Sequence, residues 1–183
     1  MIGAAFSVTL ASAQGGDESA FACLFRDVHP ALLRYLQVIT PDAEDVAGDT
    51  WLHVVKGLPR FRGGEEAFRA WLFTIARHRA VDAGRSRARR PDVPLALTEA
   101  EQQPAPLDVA ELALEAISTQ SVLAMLRTLP RDHAEIIMLR VVAGLEAADV
   151  ARIVGKTPGA VRVTVHRALR KLAELAERAG VTH

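Results

Sequence analysis

The sequence is poor in the residues that build disulfides, metal centres and cofactor loops. It has one cysteine among 183 residues, so it cannot form an internal disulfide or a thiolate zinc cluster. It has no Glu-x-x-His or His-Glu-x-x-His motif and no glycine-rich phosphate loop. No apolar run is long enough to cross a membrane. We therefore expect no cofactor, no bound metal, no membrane insertion and no enzymatic activity.

The N-terminus lacks positive charge. Residues 2–11 are apolar and Ala11-Ser12-Ala13 resembles a signal-peptidase site, but no basic residue precedes Arg26. A secretory signal needs a basic segment before its apolar run. We therefore predict that residues 1–16 form a flexible tail and that the protein is cytoplasmic.

Strand-forming residues are also scarce, since aromatics make up 5% of the chain and Ala, Leu, Arg and Glu dominate. This composition favours helices. Apolar periodicity predicts helices at Ser19–Ile39 (interrupted near Pro30), Asp42–Leu58, Glu65–Ala83, Leu112–Leu129, Pro130–Val142, Glu146–Val154 and Pro158–Glu177. The expected fold is all-α, with two small helical domains at residues 17–90 and 112–183.

Formal net charge is zero, but the charges are segregated. Residues 60–90 contain nine arginines and three acids, and residues 150–171 contain six bases and no acid. Between them, residues 91–120 hold six acids and no base, and four of the nine prolines lie in residues 91–106. We interpret residues 91–111 as a flexible acidic linker between two cationic surfaces.

The second basic block has the pattern of a helix-turn-helix. Ala151 is small enough for two helices to cross, Gly155 tolerates the positive φ of a tight turn, and Val161 can anchor the second helix. Thr157 is a favourable N-cap residue and Pro158 suits the first helical position. An amphipathic hairpin from a protein-protein module could match the same three positions, but the basic outer face favours DNA.

The outer face of the Pro158–Glu177 helix supplies the candidates for base reading, which are Gly159, Arg162, Val163, His166 and Arg170. Arg162 could pair with guanine and Val163 could contact a thymine methyl group. Lys156, Arg167 and Lys171 are the candidates for phosphate contacts.

Residues 126–175, "LRTLPRDHAEIIMLRVVAGLEAADVARIVGKTPGAVRVTVHRALRKLAEL", resemble sigma factor region 4, which binds the promoter −35 element. "DAEDVAGDTWLHVVKGLPRF" at residues 42–61 resembles the part of region 2 that docks on the RNA polymerase clamp. "FRAWLFTIARHRAVDAGRSRARR" at residues 68–90 resembles the segments that melt and read the −10 element. Because no region 3 is present, the chain resembles an extracytoplasmic-function sigma factor. The resemblance implies core RNA polymerase, promoter DNA and an anti-sigma factor as partners.

The resemblance also implies sites in the first domain. Polymerase contacts would come from Asp45, Asp49, Leu52, His53 and Lys56, and contacts to the −10 element from Phe61, Arg62, Gly63, Gly64, Arg77, His78, Arg85, Arg87, Arg89 and Arg90. A flipped base could stack on Phe61, or Phe61 could equally be a core anchor.

Some positions depart from the family pattern. Gly48-Asp49 stands where Gln-Glu is usual, His78 where Asn is frequent, and Val163-Thr164 where Ser-Arg is common. The −35 sequence therefore cannot be carried over from the family.

Three alternatives remain open. The acid-His pairs Asp49/His53 and His78/Asp82 could hold a metal in a helical hydrolase, although such pairs are also ordinary surface contacts. The chain could be a helix-turn-helix regulator whose first half binds a ligand. It could also be a sigma-like protein that does not initiate transcription.

Overall fold

The computed structural model describes residues 2–89, 125–126 and 128–178, with side chains to residue 175. Arg90, the predicted linker and most of the predicted Leu112–Leu129 helix lie outside these residues. All regular structure in the described ranges is helical, which confirms the predicted all-α class. None of the described helices is long and apolar enough to span a bilayer.

The first domain contains four α-helices. They are α1 (Phe6–Gln14), α2 (Glu18–Ile39), α3 (Ala43–Gly57) and α4 (Glu65–Arg89), with 3-10 turns at Gly3–Ala5 and Leu58–Arg60. The second domain contains α5 (Arg131–Ile137), a π-helical turn (Met138–Val142), α6 (Ala147–Val154) and α7 (Pro158–Arg178).

Helix α2 is the centre of the first domain. Its Leu24, Leu32 and Leu36 are fully buried, and it packs against α1, α3 and α4. Pro30 lies inside this helix, which continues through it. The predicted interruption is therefore wrong, because burial of the flanking apolar side chains offsets the roughly 3 kcal/mol that an internal proline costs.

A neutral histidine joins α2 to α3. Trp51 on α3 donates its indole N–H to His29 Nδ1 over 3.2 Å, and the imidazole of His29 stacks on Phe25 at 4.4 Å between ring centroids. Burial lowers the pKa of His29, which keeps the ring nitrogen available as an acceptor at neutral pH.

The prediction of a flexible N-terminal tail is wrong. Residues Phe6, Leu10 and Ala13 lie on one face of α1 at helical spacing, and all three are buried. The ring of Phe6 contacts that of Phe68 on α4, with centroids 5.7 Å apart. The apolar run that resembled a targeting segment is instead one layer of the domain core.

Helix α4 extends past its predicted end at Ala83 as far as Arg89. A glycine inside a helix costs only about 1 kcal/mol, and Gly84 does not stop this helix. Near its end Arg87 pairs with Asp42. Asp42 occupies the N-cap position of α3 as predicted, but its side chain makes no capping hydrogen bond and contacts Arg87 instead.

The two domains are in direct contact. Tyr35 on α2 and Arg77 on α4 both donate to the carboxylate of Glu135 on α5, over 3.1 Å and 2.8 Å. Tyr35 is fully buried, and burial together with the nearby Glu135 charge raises its pKa well above the ordinary value. The hydroxyl therefore remains a donor at any physiological pH.

Two further arginines cross the same boundary, and each binds a carbonyl at a helix end. Arg131 donates to Ile39 O, at the end of α2, over 2.9 Å. Arg69 donates to Ala143 O, just after the π-helical turn, over 3.0 Å. Arg69 is buried and also pairs with Asp27 at 2.9 Å. Cations at these positions satisfy carbonyls that have no partner within their own helix.

Candidate nucleic-acid and polymerase interfaces

The helix-turn-helix has the local geometry that its sequence predicts. Gly155 ends α6 in the left-handed conformation, with φ +70°, and Thr157 Oγ1 accepts the amide hydrogen of Ala160 over 3.2 Å at the start of α7. Ala151 and Val161 are buried where the two helices pack. The predicted crossing, turn and cap are confirmed.

The whole predicted reading face of this motif is exposed. This holds for Lys156, Gly159, Arg162, Val163, His166, Arg167, Arg170 and Lys171. Val163 is an exposed apolar residue in the midst of basic ones, with 50% of its surface accessible. Lys156 is held by Asp132 at 3.0 Å, a hydrogen bond that lowers the pKa of Asp132. Within the described residues no carboxylate pairs with Arg162, Arg167 or Lys171, so these cations can meet phosphates or bases.

The loop between α3 and α4 is ordered around an aromatic cluster. Phe61 is half-buried, stacks on Trp71 with centroids 5.0 Å apart, and meets Phe68 edge-on at 5.6 Å. The core-anchor interpretation of Phe61 therefore has direct geometric support. One face of its ring is already covered by Trp71, so a flipped base could use only the remaining surface.

The polar part of this loop remains outside the cluster. Arg62, Gly63 and Gly64 are exposed. The Arg62 guanidinium folds back onto the carbonyls of Pro59 and Phe61, at 3.2 Å and 2.7 Å. Gly63 has φ +147° and approaches Phe61 so closely that an added Cβ would lie 3.2 Å from the ring and 2.9 Å from Ala67. Only glycine fits at this turn.

The residues of α4 that were predicted to contact the −10 element divide into two groups. His78, Arg85, Arg87 and Arg89 are exposed along the helix. Arg85 lies 3.9 Å from Asp82, and Arg89 bonds the carbonyl of Arg85. Arg77, by contrast, is partly buried and pairs with Glu135 of the second domain. Of the predicted −10 contacts that the structure describes, Arg77 is the one that this domain arrangement covers.

The predicted polymerase face of α3 lies on the surface. Asp45, Leu52 and Lys56 are exposed, and Asp49 and His53 are half-exposed. Leu52 has 59% of its surface accessible and Val55, one turn away, has 50%. Val55 was not among the predicted contact residues, although its i, i+3 spacing from Leu52 indicates the same face of α3. Two adjacent exposed aliphatic side chains flanked by charges are typical of a protein-binding patch.

The paired acids and histidines do not assemble a metal centre. Asp49 lies 3.6 Å from His53 and 3.8 Å from Arg79, and Asp82 pairs with Arg79. The described residues contain no group of three or more His, Cys, Asp or Glu side chains able to share an ion. Asp49, Arg79 and Asp82 form a surface ion-pair network instead.

Comparison with known proteins defines the class to which this fold belongs. Residues 24–90 match the family described as sigma-70 region 2, and residues 119–172 match sigma-70 region 4. The region 2 match argues against the alternative of a helix-turn-helix regulator whose first half binds a ligand. The two regions together define a sigma factor of RNA polymerase.

Individual relatives narrow the class. The ECF RNA polymerase sigma factor SigD of Mycobacterium tuberculosis is 35% identical, over 95% of this chain and 85% of SigD. ECF sigma factor ShbA of Streptomyces griseus is also 35% identical, over 88% and 90% of the two chains. The sigma factor RpoE of Bartonella quintana, solved with the anti-sigma factor NepR, is similar in structure with a TM-score of 0.61 and 27% identity, over 86% and 96%. CnrH, solved with the cytosolic domain of CnrY, shares the fold with a TM-score of 0.62 and 24% identity, over 95% and 98%.

This chain belongs to the extracytoplasmic-function (ECF) family of RNA polymerase sigma factors.

Proposed function

We propose that this protein directs core RNA polymerase to specific promoters in the cytoplasm, with residues 17–90 acting at the −10 element and residues 112–183 at the −35 element. The exposed basic face of α7, the second helix of the helix-turn-helix, carries this proposal. Transcription of a genomic promoter library by core polymerase, with and without the protein, tests it. Protein-dependent start sites that share a −35 and a −10 sequence are expected. Specific binding without any start site would indicate a sigma-like protein that does not initiate.

The polymerase would dock on the outer face of α3. Asp45, Asp49 and Leu52 share this face, where a large aliphatic side chain is exposed beside acids. Replacing all three by Ala should abolish co-purification with core polymerase and leave the helical circular dichroism unchanged. Glu18→Ala, an exposed acid in the first turn of α2, provides a control that should keep the interaction. Undiminished binding of the triple variant would show that core polymerase does not depend on this surface.

The exposed arginines at the end of α4 would hold the DNA backbone near the −10 element. Phosphate contacts release condensed counterions, so each lost contact should lower the slope of log affinity against log salt by about 0.9. Arg85→Gln combined with Arg89→Gln should therefore weaken binding to all promoters alike and reduce that slope by roughly 2. A changed promoter preference at constant slope would assign these arginines to base reading.

Promoter binding would also require the two domains to separate. The −35 and −10 elements are about 25 bp apart, which is roughly 80 Å of B-DNA. A compact chain of this length has a radius of gyration of only about 16 Å, and here the domains touch through Glu135 and Arg69. In addition, Arg77 is covered while it pairs with Glu135. We therefore propose that this compact arrangement is the form adopted away from polymerase, and that promoter binding opens it.

An anti-sigma factor is the further partner that we propose. The structurally similar sigma factor RpoE of Bartonella quintana was solved in complex with the anti-sigma factor NepR. Capture with the tagged full chain from its native cells, followed by in vitro transcription, tests this proposal. A co-purifying protein that suppresses protein-dependent transcription is expected, and reproducible capture of core polymerase alone would count against it.

A further inference from the structure

The N-terminal segment, residues 2–14 with α1, is tied to both ends of the loop that connects α3 to α4. At one end, the amide of Gln14 donates to the carbonyls of Leu58 and Phe61, each over 2.9 Å. At the other end, Glu65 accepts the backbone N–H groups of Ile2 and Gly3 over 3.0 Å and 2.8 Å. These four hydrogen bonds span 44 to 63 residues of sequence, so they record tertiary docking and not local geometry.

Gln14 gives a second hydrogen-bond donor to two loop carbonyls that each have one partner within the loop. The carbonyl of Leu58 already accepts the amide of Phe61 within the 3-10 turn, and the carbonyl of Phe61 already accepts Arg62. A side-chain amide with two hydrogens can supply a second donor to each of these carbonyls. The path of the backbone from Leu58 to Phe61 is thereby fixed from outside the loop.

The same helix also supports the aromatic cluster beneath the loop. Phe6 contacts Phe68, Phe68 contacts Phe61, and Phe61 stacks on Trp71. The ring of Phe61 is thus held between its backbone, which Gln14 fixes, and a cluster to which α1 contributes. Residues 2–16 lie outside the range matched by the region 2 family model, so the family match assigns them no role.

We propose that α1 holds the backbone of the Phe61–Gly64 loop in the conformation that reads the −10 element. Gln14 is then a positioning residue that affects promoter selectivity without touching DNA. This inference rests on the proposed role of the Phe61–Gly64 loop in reading the −10 element. A loop whose backbone is fixed before DNA arrives discriminates between bases better than one that must become ordered on binding, because the ordering cost is already met.

Selection of bound and transcribed promoters from a pool randomised at both elements tests the proposal on the full chain with core polymerase. Gln14→Met keeps the length of the side chain and removes both donors. Base preference at the −10 positions read by the loop should fall by up to about 30-fold, because two hydrogen bonds of ordinary net strength are lost and each corresponds to about a fivefold change. Preference at the −35 element should not change, because the side chain of Gln14 bonds the α3–α4 loop of the first domain.

Two other variants make the result specific. Thr9→Val alters a half-buried position of α1, where the hydroxyl bonds Ala5 O at the start of the helix and not the α3–α4 loop, and it should retain both preferences. Arg62→Ala alters the loop itself and should weaken −10 preference. The proposal is overturned if Arg62→Ala changes −10 preference and Gln14→Met does not, or if Gln14→Met lowers the melting temperature and leaves selectivity intact. If Arg62→Ala also has no effect, the assignment of the loop to the −10 element fails first.

Discussion

Glu135 offers the sharpest test of domain separation, because its carboxylate is a single group on which two side chains of the other domain converge. It is 14% exposed and Arg77 is 28% exposed, so the ion pair is largely shielded from water. Glu135→Ala removes the acceptor of both Arg77 and Tyr35 and leaves each domain's own core unchanged. The perturbation therefore acts on domain docking more than on folding.

The magnitude follows from the two hydrogen bonds. Both bonds end on the Glu135 carboxylate, and a bond to a charged group contributes about 1.5–3 kcal/mol. Because Arg77 keeps part of its surface in water, the lower end of this range applies, and the sum is about 3 kcal/mol. That corresponds to a roughly 150-fold shift of the domain equilibrium toward the open form. Glu135→Gln keeps an acceptor for Tyr35 and should shift the equilibrium less.

The assay measures distance between the domains. With Cys23 replaced by Ser, single cysteines at the exposed positions Glu44 on α3 and Ala173 on α7 can carry spin labels. Pulsed dipolar spectroscopy should show a longer and broader distance distribution in Glu135→Ala than in the parent. Glu174→Ala, which alters an exposed acid of the same domain, should match the parent. Identical distributions in all three proteins, or an open distribution in the parent, would refute the docking argument.

Three further outcomes are expected. Arg162→Ala should relax base preference at one or two −35 base pairs, because a bidentate contact to guanine provides about 1–3 kcal/mol of discrimination. Lys171→Ala should lower affinity for all sequences evenly. If selection from a randomised −35 pool gives the parent's base preferences for both variants, Arg162 contacts only phosphate. Gly155→Ala should lower the free energy of unfolding by about 1–2 kcal/mol through its left-handed backbone alone, since nothing lies near its Cβ position. Gly84→Ala, inside α4, should raise the free energy of unfolding by about 0.5–1 kcal/mol. Melting temperatures that shift in the same direction in both variants would contradict this. Asp17 caps α2 through Ser19 and Ala20, hydrogen bonds that lower its pKa below 3.8, so its stabilisation is complete above pH 3.8 and lost as pH falls through the lowered value. The melting-temperature difference between Asp17→Ala and the parent should therefore narrow only in that acidic range.

Local sequence signals were sufficient to predict the helix-turn-helix. Ala151, Gly155, Thr157 and Val161 are constrained by the geometry of one turn and one helix crossing, and these constraints act within about ten residues of sequence. The exposed basic face of α7 follows from the same helical period. The all-α class likewise follows from composition and periodicity, which do not depend on distant parts of the chain.

Tertiary packing decided the structure of the N-terminal segment, the continuity of α2 and α4, and the contacts between distant residues. Residues 1–16 were predicted to form a flexible tail because their apolar run lacks the basic segment of a secretory signal. A short apolar helix is unstable alone, and Phe6 and Leu10 are buried because α1 packs on the rest of the domain. Pro30 and Gly84 looked like breaks because their local penalties are known, whereas the packing that outweighs those penalties comes from other helices. The contacts of Gln14 with the α3–α4 loop, and of Glu135 with Tyr35 and Arg77, join residues 44 to 100 positions apart. No periodicity encodes such pairs, because they depend on how finished helices come together.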